Sequence, residues 1–301
     1  MDFYPEGTYS NNTKNGYDLI TLTNAMENNA TLEGRATVCD GEYNLWVDLG
    51  TVKGVIRKEE TAYSHDGNAV KDIAIISRVG KSVCFKVKGF ANNKQGEKIA
   101  LLSRKEAQIE CLKKIMKVSF GSILTAKITH LDSFGAFCDV GCGNIALLPI
   151  DMISVSRISH SCDRFYNGQI IKVLLKNIDD DGKITVSHKE LLGTWEENAA
   201  AFLAGQTVSG IIRSIEDYGV FVELAPNLTG LAEPKENCRI GDIASVYIKS
   251  IIPEKMKIKL SIIDCFCGQI DRPVKYFDVA QPLKTWQYSP KCCQREIISI
   301  F

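Results

Sequence analysis

The residues best suited to do chemistry are aromatics that recur in pairs at one spacing. Tyr43-Asn44-Leu45-Trp46-Val47-Asp48-Leu49, Phe134-Gly135-Ala136-Phe137-Cys138-Asp139-Val140 and Tyr218-Gly219-Val220-Phe221-Val222-Glu223-Leu224 share one order: aromatic, small, apolar, aromatic, apolar, acidic, apolar. Exposed rings let an unpaired nucleobase regain a stacking face without demanding a sequence. At ~1–3 kcal/mol per stacked base, two rings give about 2–6 kcal/mol gross, which is weak for one copy and suits repetition. On a regular strand, residues three apart face opposite sides, so bringing both rings to one ligand needs a bend. Gly135 and Gly219 supply it, and Asn44 tolerates the same bend. The competing reading puts each ring in a hydrophobic core, where apolar residues usually go. Recurrence at one offset from a bend favours the surface, and Trp46 either stacks or wedges between domains.

Other chemistries find less support. Each copy offers one acid, Asp48, Asp139 or Glu223, whereas a metal-dependent nuclease needs clustered carboxylates. The four histidines, His65, His130, His160 and His188, recur with no serine, cysteine or carboxylate in a catalytic pattern. Gly141-Cys142-Gly143-Asn144-Ile145-Ala146 spells a dinucleotide fingerprint, but Pro149 argues against the helix it requires. Asn177 to Gly182 reads as a hairpin turn, since His188 stands where a calcium loop needs glutamate. Cys265, Cys267, Cys292 and Cys293 lack the spacing of a zinc site. No catalytic residue, metal or cofactor is expected, and the protein reads as a non-enzyme.

The elements that must hold the rings also repeat. Before each ring motif lies a stretch of strand-like alternation, at Leu32–Val38, Leu124–Ile128 and Val208–Ile212. After it come a glycine-led strand, from Gly80, Gly168 and Gly241, and a final strand ending on a serine, at Lys98–Ser103, Lys183–Ser187 and Lys257–Ser261. About five short strands per unit are what a small closed barrel needs to bury one face and leave no long edge. The sequence therefore predicts an all-β chain of three tandem five-stranded barrels joined by short helical linkers. Ser103-Arg104-Lys105-Glu106 and Thr194-Trp195-Glu196-Glu197 have capping-box spacing. Ile109, Leu112 and Met116 follow the first, and Ala199, Phe202 and Leu203 the second, as apolar faces. The expected segments are a loose start over 1–29, barrels with their linkers over 30–118 and 119–204, a third barrel over 205–264, and an extension over 265–301 packed on the third barrel. In that extension Pro273, Pro282 and Pro290 interrupt strand-like Val274–Phe277 and Ile297–Ile300.

Composition bounds the partners. The chain has 301 residues, 36 basic and 36 acidic, so any polyanion site is local. Residues 34–118 hold 16 basic against 10 acidic residues, while 119–192 and 205–264 each hold 7 against 8, which places most phosphate attraction on the first barrel. Arg57, Arg78, Lys81, Lys86 and Lys88 are its candidates. No stretch approaches the ~20 apolar residues of a membrane span, and Met1–Glu6 shows neither a cationic start nor an apolar run, so a cytoplasmic address is expected. Eleven cysteines, an odd and scattered set, predict reduced and mostly buried thiols.

The aromatic-Gly-x-aromatic-x-acidic motif and the closing Lys-Ile-x-Leu-Ser variants resemble the RNA-binding repeat named after small-subunit ribosomal protein S-one, over about residues 30–264. Longer blocks, Phe134–Gly143, Leu147–His160, Lys189–Phe202 and Tyr218–Glu233, are similar to compact S-one-like proteins of Gram-positive bacteria. The resemblance implies oligonucleotide/oligosaccharide-binding (OB) barrels that take single-stranded RNA across their second and third strands, in translation. The implied partners are messenger RNA or the small ribosomal subunit, with no membrane and no small-molecule substrate. Candidate RNA contacts are Tyr43, Trp46, Arg57, Lys86, Phe134, Phe137, Arg157, Lys172, Lys176, Arg213, Tyr218 and Phe221. The family histidine after the third strand is replaced by Arg57, Pro149 and Glu233. Arg57 can stack and pair with phosphate, Pro149 cannot donate, and Glu233 repels phosphate. A rival expectation follows, in which only the first one or two barrels bind RNA and the rest dock to protein or ribosome.

Overall fold

Alternation of buried and exposed side chains builds the strands. In the stretch Ile123–Asp132, Leu124, Ala126 and Ile128 turn inward while Thr125 and Thr129 face out, the period-two pattern of a sheet with one wet face. The computed structural model describes residues 4–8, 16–64, 70–93, 96–268 and 274–301. After a first helix, α1 (Leu19–Glu27), come β1 (Leu32–Cys39), β2 (Leu45–Asp48), β3 (Lys53–Ile56), a short α2 (Asp72–Ile76), β4 (Ser82–Asn92) and β5 (Lys98–Ser103). The second barrel comprises β6 (Ile123–Asp132), β7 (Gly135–Asp139), β8 (Ile145–Pro149), β9 (Ile170–Ile178) and β10 (Ile184–Ser187). The third comprises β11 (Thr207–Glu216), β12 (Gly219–Ala225), β13 (Leu228–Ala232), β14 (Ile243–Ile252) and β15 (Lys257–Phe266).

All three close in one order, first-second-third-fifth-fourth strand. The third and fifth strands pair in parallel, with Val55 opposite Leu101, Ala146 opposite Ile184 and Leu231 opposite Lys259. These are the tandem OB barrels expected from the sequence. Among the described residues no helix is long and apolar enough to cross a membrane.

The connections do more than space the barrels. In α3 (Arg104–Ile115) the Ser103 hydroxyl caps the Glu106 amide at 3.0 Å. Its buried face is Ala107, Cys111, Leu112 and Ile115, and it joins the core of the second barrel together with Cys84 of β4. The expected face is rotated: Met116 is exposed because Arg104 and Gln108 are drawn inward, Gln108 donating to the Gly143 carbonyl. In α4 (Trp195–Ala199) Thr194 and Glu197 complete a capping box, and Trp195 is buried while Leu203 is exposed.

The C-terminal extension spans two barrels. Leu283, Trp286 and Tyr288 enter the core cluster of the third barrel, yet the Leu283 amide donates to Gly121 and the Phe277 amide to Leu191, both of the second. A two-stranded ribbon, β16 (Thr285–Gln287) with β17 (Ile298–Ile300), ends the chain. The strand-like Val274–Phe277 is not part of a sheet. At the other end Glu6 is buried at the junction of the first two barrels. Of the eleven cysteines only Cys84, Cys111, Cys138 and Cys142 are buried, so the thiols are more accessible than expected.

Candidate nucleic-acid interface

One backbone device presents a ring on each barrel. The first strand bulges between Ala36 and Val38, between Ile128 and His130, and between Ile212 and Ser214. The residue just past the bulge then lies opposite the second aromatic of the motif: Val38 opposite Trp46, His130 opposite Phe137, Ser214 opposite Phe221. On the other side stand Val55, Leu147 and Leu231. The bulged Thr37 and Thr129 fix this geometry by donating their hydroxyls to the carbonyls of Trp46 and Phe137, at 3.2 and 3.0 Å. In the third copy the bulged residue is Arg213, which points elsewhere.

The glycines act as expected in two copies. Gly135 and Gly219 have φ of 155° and 157°, and a Cβ there would stand 2.4 Å from the Leu148 carbonyl and 2.5 Å from that of Ala232. No other residue fits so close to the neighbouring strand. The bend lifts the first aromatic into solvent, Phe134 being 52% and Tyr218 67% exposed. Each meets its partner edge to face, Phe134 with Phe137 at 5.9 Å and Tyr218 with Phe221 at 6.0 Å. His130 adds a third ring to the second barrel, stacked on Phe137 at 6.2 Å.

The first copy is built differently. Tyr43, not Asn44, takes the left-handed conformation, with φ of 63°. Asp40 accepts from the Glu42 and Asn44 amides and, at 3.1 Å, from the Trp46 indole. Tyr43 packs half-buried against the first core, with the Lys58 ammonium 4.4 Å from its ring centre. Trp46 is half-buried, and none of the six motif rings is sealed in a core.

The candidate cations divide in two. Arg57 and Arg157 are exposed, as is Lys81. Lys86 is buried instead, pairing with Glu110 and donating to the Asn29 carbonyl. Lys176 turns to the Ile300 carbonyl and the Phe301 ring, and Lys172 lies over the Tyr276 ring at 5.6 Å. Arg213 pairs with Glu223 at 2.7 Å and faces Asp163 at 3.6 Å. Lys86, Lys176 and Arg213 thus spend their charge within the protein, drawn by a linker helix, the C-terminal extension and a buried acid. Arg78 and Lys88 likewise face Glu6 and Glu106.

The repeated acid has a structural role in two barrels. Buried Asp139 accepts from the amides of Glu6, Gly141 and Gly143 at 2.7, 2.8 and 3.0 Å. Burial and the nearby Glu6 charge push its carboxyl up to about 7. Burial would raise Glu6 as well, but the charge and hydrogen bonds of Arg104, 2.6 Å away, hold its carboxyl below the usual value. In the third barrel Arg164 grips both oxygens of Glu223. Burial works against that carboxylate too, and the two arginines, Arg164 first, outweigh it. Sequence reading weighed these acids only as metal ligands. Their partners lie 133 and 59 residues away, Glu6 for Asp139 and Arg164 for Glu223, so no local pattern announces them. His130 carried a signal, since it follows the bulge that sets the ring.

The remaining motifs fall to turns and core. Gly141–Asn144 is a tight turn capped by Asp139, and Gly182 closes a hairpin on Asp179. His160 caps the turn at Cys162, and His188 is buried, its imidazole pushed down to about 4 by desolvation. His65 lies outside the described residues. Among the described residues no group of three or more metal-capable side chains is assembled.

Residues 117–189 match the family model of the S1 RNA binding domain. That stretch, the second barrel, is similar to S1 RNA-binding domains. The match starts at the end of α3 and runs through β10, and the first and third barrels repeat that domain's strand order and bulge. Small ribosomal subunit protein bS1 of Leuconostoc lactis is 29% identical over 180 residues, 54% of this chain and 42% of the relative. The bS1 homolog of Bacillus cereus is 28% identical over 237 residues, 74% of this chain and 60% of the relative. The bS1 protein of Staphylococcus saprophyticus is 27% identical over 271 residues, 83% and 65% of the two chains. This chain therefore spans less than two thirds of the length of each of these relatives. A crystal structure of a multidomain protein with nucleic acid binding domains from Streptococcus pneumoniae aligns with 80% of this chain and 76% of its own, at 13% identity and a TM-score of 0.26.

Proposed function

We propose that the chain binds single-stranded RNA without catalysis, through the ring faces of its tandem S1-type barrels, in the setting of translation. Messenger RNA or the small ribosomal subunit is the partner. The observation that carries this reading is the recurrence of Trp46, Phe137 and Phe221 at one register beside one bulge, each reachable from solvent. The S1 domain match and the bS1 relatives support it. Stacking on such rings is tolerant of sequence, which fits a protein that follows an unstructured strand. The binding units are 30–118, 119–204 and 205–264, braced by 1–29 and 265–301. Fluorescence titration with unstructured RNA tests the reading: Trp46→Ala combined with Phe137→Ala weakens binding at least about tenfold, and unchanged affinity refutes the ring site.

A specific feature favours a graded version, in which the third barrel contributes least to phosphate binding. Its bulged Arg213 is consumed by Glu223, and Glu233, at the end of the ring-bearing sheet, has a side chain 80% exposed that pairs with Lys249. That face offers stacking while opposing phosphate, and protein or ribosome docking suits it better.

A further inference from the structure

Cys238 and Cys265 play no part in the ring faces or the ion pairs between barrels, and neither sulfur is used by the barrel ladder. Cys238 lies in the 233–242 connection, which leaves the ring-bearing face at Glu233 and leads to β14. Cys265, near the end of β15, pairs in register with Ala244. Their sulfurs are in contact, 2.6 Å apart, and both residues are half-exposed. The connection is held in place independently of the thiols. Lys235 donates to the carbonyls of Ile262 and Ile263 at 3.2 and 2.5 Å, and Asp242 accepts from the Arg239 amide at 3.1 Å. The fold has thus already brought together two sulfurs that are 27 positions apart in sequence, a closure an unfolded chain would have to make at an entropic cost.

We propose that Cys238 and Cys265 form a reversible dithiol–disulfide pair that exchanges with low-molecular-weight disulfides and, when oxidised, pins the 233–242 connection to β15. In the first step the Cys238 thiolate attacks one sulfur of the small disulfide. That S–S bond breaks, one small thiol leaves, and Cys238 is held in a mixed disulfide. Cys265 then loses its proton and attacks the Cys238 sulfur, forming the protein disulfide and releasing the second small thiol. Two electrons pass from the cysteines to the small disulfide, and the two cysteine protons leave on the two thiols. Burial and the Cys238 contact push the Cys265 thiol up to about 12, which disfavours it as the first attacker and leaves it the intramolecular second step. The pair is distinct from the buried Cys84, Cys111, Cys138 and Cys142, which small disulfides do not reach. It stands whether or not RNA is the ligand.

The test equilibrates the full chain, carrying Cys267→Ser to remove the neighbouring thiol, with graded ratios of oxidised to reduced dithiothreitol, both natively and in urea. Free thiols are then alkylated and linked peptides mapped by mass. The expected result is a Cys238–Cys265 link that forms natively at a ratio at least about tenfold more reducing than in urea. On oxidation, amide exchange across 233–242 slows. Equal native and urea midpoints, independent alkylation of the two cysteines at every ratio, or linkage of Cys238 to a different cysteine would each overturn the proposal.

Discussion

Arg164 of the second barrel closes a two-pronged ion pair on Glu223 of the third, with both N–O distances 2.6 Å and both side chains buried. Glu223 is the acid of the repeated ring motif, two residues beyond Phe221 and so on the same face of β12. The acid two residues beyond Phe137, Asp139, meets the buried Glu6 and, through it, Arg104. Each junction therefore sits directly beside a ring platform. Asn227 reinforces the second junction, its side chain accepting from the Val155 amide and donating to the Lys189 and Gly193 carbonyls. For the RNA binding proposed above the consequence is geometric: junctions of this kind restrict how adjacent barrels can move, which lowers the ordering cost of a second contact.

Removing one partner of such a pair leaves a buried charge uncompensated. Arg164→Ala or Glu223→Ala should lower stability by ~3–5 kcal/mol, read as a reduced urea midpoint. The double variant should cost less than the sum of the singles, because the residual charge that each single leaves behind is gone. Additive losses would mean that the pair is not a coupled unit.

Ring variants should rank by barrel. The second barrel offers Phe134, Phe137 and stacked His130, and Pro149 in place of the family histidine leaves it dependent on those rings. Phe137→Ala should cost ~1–3 kcal/mol of RNA affinity, about 5- to 150-fold. Phe221→Ala should cost less, since in the proposed reading exposed Glu233 opposes phosphate on its barrel. Affinity by fluorescence titration, with the fold of each variant checked by circular dichroism, decides the order.

The second barrel should lose stability in mild acid through His188. Its imidazole is held between Phe165 and Tyr276 with Nδ1 3.0 Å from the Ile153 carbonyl, and burial depresses it from 6.5 to about 4. With the folded value below the unfolded one, the unfolded chain takes up the proton first. The stability is complete above about 6.5 and declines as pH falls toward about 4. Thermal unfolding at stepped pH should show this fall, and NMR of the His188 ring should show no protonation until near pH 4. Titration of that ring near 6.5 would refute the buried environment.

Which parts of this were legible follows from the range of the forces involved. Strand alternation, the ring motif and the Ser103 and Thr194 caps are local, and the structure has them where the sequence places them. Charge placement was not local. Lys176 looks like a surface cation on a strand, yet it is satisfied by Ile300, 124 residues away. Lys86 is claimed by Glu110 of the following helix. The extension was obscured because its prolines break the strand pattern, while the burial of Leu283, Trp286 and Tyr288 depends on surfaces of two barrels that no window of sequence contains.

That redistribution of charge should set the salt dependence of the RNA binding proposed above. Each phosphate neutralised on a single strand contributes about −0.7 to the slope of log affinity against log salt. Of the twelve candidate contacts, Arg57, Arg157 and Lys172 remain exposed cations, Lys172 over the Tyr276 ring, whereas Lys86, Lys176 and Arg213 are paired within the protein. With neighbours such as Lys81 included, about three to six phosphates are neutralised, for a slope of roughly −2 to −4. Arg57→Gln should make the slope shallower by about 0.7, whereas Lys86→Gln should leave it unchanged and lower stability instead. A slope steeper than about −6, measured from 50 to 300 mM salt in ~50 mM steps, would require more released counterions than these surfaces can supply.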